Sequence, residues 1–346
     1  MLRENGKRLV TREAYAHLLL SMEHERDDLL VNQYGAHTDP EHGVIVPVET
    51  APGRFRFMPG PEFGPRLYRG QSQFFAPCRP SLYRRDAIEG MYWAAKTLEL
   101  GALLWRHPVC EDFLSWNLEG LTFDLSLEAI AQHYGFPSVL LDFSRSKDVA
   151  MFFATCTFDP KAGKYYPTNS GIAVLYTANL RALLLDPKRV GTIPLGFEPL
   201  PRPEAQLAFA VPLGLDEDLN HMAWVTAEKI ELTPDLSRRY FDMFDGGKTL
   251  FPENPVDRQI EALRDSRSVS LSALKMAVTL NILPSHPHGV DGVIREFRAA
   301  GFDVPEIAAS LDEPTIAAAA SDWNNRRESF LNRIRIRGMS EHVAVE

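Results

Sequence analysis

The chain has 346 residues, 45% of them hydrophobic and 24% charged, the composition of a folded protein rather than a disordered one. That length holds one large domain or two ordinary ones, at roughly 100–200 residues each, and can bury a substantial core. Lys and Arg number 37 against 46 Asp and Glu, a formal charge of −9, which argues against bare nucleic acid as the main partner. The three cysteines, Cys78, Cys110 and Cys156, lie far apart with no C-x-x-C spacing. This argues against a zinc ribbon and fits a reducing compartment. The first residues carry no secretory pattern, and no run approaches the ~20 apolar residues of a membrane span. The expectation is a soluble cytoplasmic protein without a membrane partner.

In chain order, residues 1–32 read as a helix, with Thr11 as its N-cap and Ala16, Leu19 and Leu20 near one face. The stretch 33–66, rich in Pro, Gly and His, reads as loop or short strands. RLYRG (66–70) is a short strand, and 81–118 has helical character around Met91, Trp93, Leu98 and Leu100. SLEAIAQHYG (126–135) is a helix that Ser126 can cap and Gly135 can end. SVLLDF (138–143) reads as a buried strand. SRSKDVAMFFATCTF (144–158) reads as the next helix, with Val149, Phe152, Phe153 and Cys156 on one stripe. GIAVLYT (171–177), QLAFAVPL (206–213) and MAWVTAEKIEL (222–232) read as strands. The proline-rich 178–203 reads as a loop with a short helix. From 266 onward the pattern is helical, in three amphipathic segments. Several strands with few strand–helix–strand crossovers predict α+β. Three regions follow: an N-terminal helical and loop extension (1–60), a mixed domain (61–265) and a C-terminal helical region (266–346).

Four segments can carry chemistry. LYRGQS (67–72) places Arg69 at a strand end, a guanidinium fork for phosphate or carboxylate, with Gly70 allowing close backbone approach. In 129–154 a helix presents Gln132 and His133, a strand ends in Asp142, and Ser144 and Ser146 stand just before a helix. Such hydroxyls can hold an anion or a ligand hydroxyl, or serve as an N-cap and a local turn bond. In PRPEAQLAFAV (201–211), read as the start of a strand, period-two spacing puts Arg202, Glu204 and Gln206 on one face. TLFPENPVDRQIEAL (249–263) is a turn into a helix, with Pro255 in its first turn.

Taken in order, these segments resemble the FRG domain, a family named for its Phe/Tyr-Arg-Gly motif. The resemblance is carried by Tyr68-Arg69-Gly70, by Gln132-His133-Tyr134-Gly135 with Leu140-Leu141-Asp142, by the aromatic helix from Ala150 to Ala154, by Arg202 to Gln206 and by Leu250-Phe251-Pro252. The chain departs from the family pattern at Ser138-Val139, where Thr-Arg is usual, and at Phe143-Ser144, where Trp-Thr is usual. The absent arginine removes one cation from the central site.

A more distant resemblance, to ADP-ribosyltransferases of the Arg-Ser-Glu type, implies a mechanism. It rests on Arg69, on Ser144-Arg145-Ser146 leading into Val149-Ala150 and Phe153-Ala154, and on Glu204-Ala205-Gln206. The implied fold is a central, mostly antiparallel sheet flanked by helices, with helical N- and C-terminal extensions. The implied ligand is NAD, held by Tyr68, Arg69, Gly70, Gln132, Asp142, Ser144 and Ser146. Arg69 would bind a phosphate. Glu204 would take a ribose hydroxyl and stabilise the positive charge that develops as nicotinamide leaves. His133 would contact the nucleotide or act as a base.

A literal alignment puts the neutral Gln206 in the catalytic slot, and Glu198 is a further acidic candidate in the preceding loop. Two readings therefore stand side by side. One is an NAD-dependent ADP-ribosyltransferase, hence a glycosyltransferase, or an NAD glycohydrolase, acting on an unspecified macromolecular acceptor in a bacterial toxin or phage-defence setting. The other is a non-catalytic module that binds a nucleotide or a protein segment. A third, a cysteine hydrolase using Cys78, His133 and Asp142, has no local feature that would activate the thiol.

Overall fold

The structure, a computed structural model, describes residues 9–23, 45–59, 66–189, 192–194, 200–283 and 286–333. Helix α1 (Arg12–Glu23) opens behind Thr11, whose hydroxyl accepts the Ala14 amide. Strands β1 (Val46–Ala51), β2 (Arg54–Met58) and β3 (Arg66–Gln71) follow. Helix α2 (Ala87–Leu104) is capped by Asp86, and α3 (Pro108–Leu114) by the His107 ring. After β4 (Asn117–Leu118) and β5 (Leu121–Phe123), α4 (Leu127–His133) starts at its cap Ser126. Strand β6 (Leu140–Ser144) runs into α5 (Lys147–Thr155), capped by Ser146.

Strands β7 (Cys156–Asp159), β8 (Lys164–Pro167) and β9 (Gly171–Asn179) come next, then α6 (Leu180–Leu185) and β10 (Ile193–Pro194). The single turn α7 (Arg202–Ala205) precedes β11 (Ala208–Pro212) and β12 (Val225–Leu232). The chain closes with α8 (Pro234–Met243), α9 (Asp257–Asp265), α10 (Leu271–Thr279), α11 (Gly289–Ala299) and α12 (Glu313–Arg333). Residues 24–32 of the expected first helix, the Leu20 side chain, Glu198 and residues 334–346 lie outside the described residues.

The expected mixed architecture, antiparallel sheets flanked by helices, is present. Its main sheet has the order β10-β11-β6-β3-β9-β12, and every neighbouring pair is antiparallel. One face, with Leu141, Phe143, Val174, Tyr176, Phe209 and Val211, packs under α1 and α6. On the other, α5 brings Val149, Met151 and Phe152 together with Leu175, Tyr240 and Leu250. Alternate residues of β9 thus serve opposite cores, as the two-residue period of a strand requires.

The sheet system is broader than a single central sheet. Strands β1 and β2 join the β4–β5 hairpin in a four-stranded sheet, order β1-β2-β5-β4, in which β2 and β5 run parallel. Phe55, Phe57 and Phe123 of that sheet pack with Phe113 of α3 and with Trp323 and Phe330 of α12. Strands β7 and β8 form a separate hairpin. Cys156 and Phe158, expected on the end of a helix, are therefore in a strand.

The segment 202–206 also departs from expectation. Pro201 and Pro203 lack the amide that a sheet ladder needs and favour helical φ, so the chain makes one helical turn there. Leu207 then takes φ 47°, and the strand begins only at Ala208. Arg202, Glu204 and Gln206 consequently do not share one face of a strand. Pro255 likewise stands two residues ahead of α9 rather than inside its first turn. Among the described residues no helix is long and apolar enough to cross a membrane.

Candidate functional site

Strands β3 and β6 meet at a single pair, Tyr68 opposite Ser144. Beyond that pair a cleft of about 450 Å³ opens between them, over the N-terminal half of α5. This lies within the ~300–1,000 Å³ usual for small-molecule sites. Its polar lining residues are Arg69, Gln71, Ser72, Gln132, His133, Asp142, Ser144 and Gln206. Its aromatic lining residues are Tyr68, Phe75, Phe143, Phe153, Tyr165 and Phe251. Phe251 stacks on Tyr165 at 5.4 Å, and Phe153 meets its edge at 6.2 Å.

Arg69 reaches across from β3 and donates from Nη1 to the Asp142 carbonyl oxygen, 2.7 Å away. Its Nε is buried without a hydrogen-bond partner. Arg84 stands close enough that burial first, and the Arg69 charge second, lower its pKa. Two cations thus stand near one another here, although the chain as a whole is acidic.

Gly70 also lines the cleft, but its missing side chain serves packing. A Cβ there would collide with the Ala150 carbonyl, because α5 lies directly against β3.

Helix α4 ends in a Schellman motif. The Phe136 amide donates to Ala131 O (3.0 Å), the Gly135 amide donates to Gln132 O (2.9 Å), and Gly135 takes φ 85°. This stop aims Gln132 and His133 at β6. The Gln132 amide nitrogen donates to Leu140 O at 3.1 Å, and its oxygen accepts from Ser138 Oγ at 2.9 Å. Gln132 thus braces α4 to β6 while touching the cleft. Ser138, at the position where the family usually has threonine, supplies the hydroxyl of this brace. Val139, beside it, brings no cation.

His133 and Gln206 form the floor. Gln206 Nε2 donates to Leu250 O at 3.0 Å, so its Oε1 faces His133 Nδ1, 3.1 Å away. The ring must then carry a proton on Nδ1. Nε2 faces Asp142 Oδ1 at 3.5 Å. Asp142 is the only carboxylate lining the cleft among the described residues.

The two serines divide their work. Ser144 Oγ donates to Gln206 O (2.7 Å) and accepts the Ser146 amide (3.0 Å), whereas Ser146 caps α5 through the Val149 amide (3.3 Å). Ser144 lines the cleft and Ser146 does not.

The structure therefore gathers Tyr68, Arg69, Gly70, Gln132, His133, Asp142, Ser144 and Gln206 around one cleft and leaves Glu204 and Ser146 out of its lining. Glu204 sits on α7, half-buried. Its neighbour Arg202 turns to Asp257 (3.0 Å) and lies over the Tyr134 ring at 4.1 Å. Cys78 is buried, with its Sγ 3.5 Å from Gln71 Oε1, and does not join His133 in the cleft.

Sequence reasoning missed Gln71, Ser72, Phe75, Phe153, Tyr165 and Phe251 among the lining residues. Gln71 ends the strand that carries Arg69 and Ser72 follows it directly, a signal that was present. Tyr165 comes from the β7–β8 hairpin, and nothing local marks it.

The FRG domain family model matches residues 65–162, from β3 to the turn of the β7–β8 hairpin, and the chain carries an FRG domain. Neither a search of curated proteins nor a search of solved structures gave a significant match.

Proposed function

We propose that the FRG domain binds a nucleotide in this cleft, with NAD as the dinucleotide that the transferase resemblance implies. The observation that supports it is that Arg69, its Nε unpartnered, and a cluster of aromatic rings line one small-molecule-sized cavity. A guanidinium suits a phosphate, and the rings of Phe153, Tyr165 and Phe251 suit a base or a nicotinamide.

Binding, rather than turnover by the Arg-Ser-Glu scheme, is the reading this lining favours. The slot that the alignment makes catalytic holds Gln206, a neutral amide already committed to His133 and Leu250. Glu204 does not reach the cleft lining. Any cleavage of the bond to nicotinamide would draw on Asp142, the one carboxylate lining the cleft among the described residues.

Calorimetric titration with NAD tests this. Arg69→Ala should weaken binding at least about tenfold, since a charge-assisted hydrogen bond contributes ~1.5–3 kcal/mol. Glu204→Gln should leave it unchanged. No heat of binding from the unaltered protein would overturn the reading. Nicotinamide release that Glu204→Gln preserves and Asp142→Asn abolishes would make the domain an NAD-cleaving enzyme with a different carboxylate.

A further inference from the structure

Two buried atoms at the floor of the cleft lack a hydrogen-bond partner and face each other. They are His133 Nε2 and Asp142 Oδ1, 3.5 Å apart. That separation is longer than the ~2.7–3.2 Å of an N–H···O bond. The Gln206 amide, oriented by Leu250 O, assigns the ring proton to Nδ1, so in the neutral ring Nε2 is an acceptor. Asp142 Oδ1 is an acceptor too. The His133 side chain is only 2% exposed. With the ring neutral, these two opposed acceptors take donors from outside the chain, water or a ligand hydroxyl; with the ring protonated, they close as an ion pair.

The same residue that offers the carboxylate also fixes the cation. Arg69 grips the main-chain oxygen of Asp142, so the guanidinium and the carboxylate are held on the same residue. We infer that the floor recognises a phosphorylated ribose. The vicinal hydroxyls donate to Asp142 Oδ1 and His133 Nε2, and a phosphate lies on Arg69. A diol supplies two uncharged donors for two acceptors, whereas a lone phosphate brings a negative charge that Asp142 would repel. This rests on the nucleotide reading above and names the part of the nucleotide that is read.

The test compares NAD with two analogues, one lacking both hydroxyls of the adenosine ribose and one lacking both hydroxyls of the nicotinamide ribose. Each is titrated into the full chain, its Asp142→Ala variant and its His133→Phe variant. One analogue should bind at least about tenfold more weakly than NAD, and the gap should shrink to about threefold or less in a folded variant. Two analogues that bind within about twofold of NAD would overturn the inference while nucleotide binding stands. A gap that persists undiminished in both variants would also overturn it. Failure of NAD itself to bind would remove the nucleotide reading and this inference together.

Discussion

His107 caps α3 with a ring that is fully buried. Nδ1 accepts the Val109 amide at 3.3 Å, and Nε2 has no partner. Burial, and then the charge of Arg326, push its pKa down to about 4. In the unfolded chain the ring titrates near ~6.5. Between those values the unfolded state binds the extra proton, so this group removes stability as pH falls from about 6.5 to about 4 and removes no more below that. Thermal melts across that window should therefore slope downward toward acid. His107→Asn keeps a capping acceptor and cannot charge, so its melts should slope less. An identical slope in the variant would place the acid sensitivity elsewhere.

At the scale of elements, the cleft depends on how closely α5 lies on β3. Gly70 is the contact point, and its own neighbours explain why the third residue of the Tyr-Arg-Gly motif is small. An added methyl meets the Ala150 carbonyl, a backbone atom that cannot swing aside. Gly70→Ala should destabilise the protein by about 3 kcal/mol or more, at the upper end of overpacking effects. Urea unfolding would measure it, and a loss below about 1 kcal/mol would show that α5 can shift. The Schellman stop after α4 is the second such device. It ends the helix so that His133 and Gln132 project onto β6 rather than along the helix axis.

Over the whole molecule, the C-terminal helices are continuous with the core. Helices α10 and α11 pack on α2 through Ala273, Leu274, Val293 and Phe297, and Tyr92 stacks on Phe302 at 4.0 Å. Beneath that contact Lys96 is fully buried. It donates to Ser266 Oγ (2.6 Å), to Ser266 O (3.4 Å) and to Ser268 O, and burial lowers its pKa to about 8. Glu99, one turn on, accepts the Ser270 and Ala309 amides. Lys96→Met would strand these serine acceptors and should reduce stability by about 2–4 kcal/mol, at ~1–3 kcal/mol per unsatisfied group. The urea transition should stay single, because α2 packs Leu100 and Leu103 with Ile130 and Ile260 as well as Tyr92 and Ala95 with α10 and α11. A separate early transition would mean that the C-terminal helices unfold on their own.

Local chemistry was enough for much of this. Thr11, Ser126 and Ser146 cap helices because a short side-chain oxygen reaches a free amide two or three residues on, and Gly135 ends α4 because a positive φ disfavours a side chain there. The sequence by itself also determined that Arg69, His133, Asp142 and Ser144 sit in short motifs, whose internal spacing survives folding. What only the tertiary structure decided was which side chains share a volume. Glu204 and Gln206 are two residues apart, yet a single helical turn and a left-handed Leu207 bring one to the cleft and leave the other outside its lining. Tyr165 and Phe251 join that cleft from a hairpin and a turn far along the chain. Periodicity reports the direction of a side chain within its own element. Contact between elements is set by packing across the whole core, which no local pattern encodes.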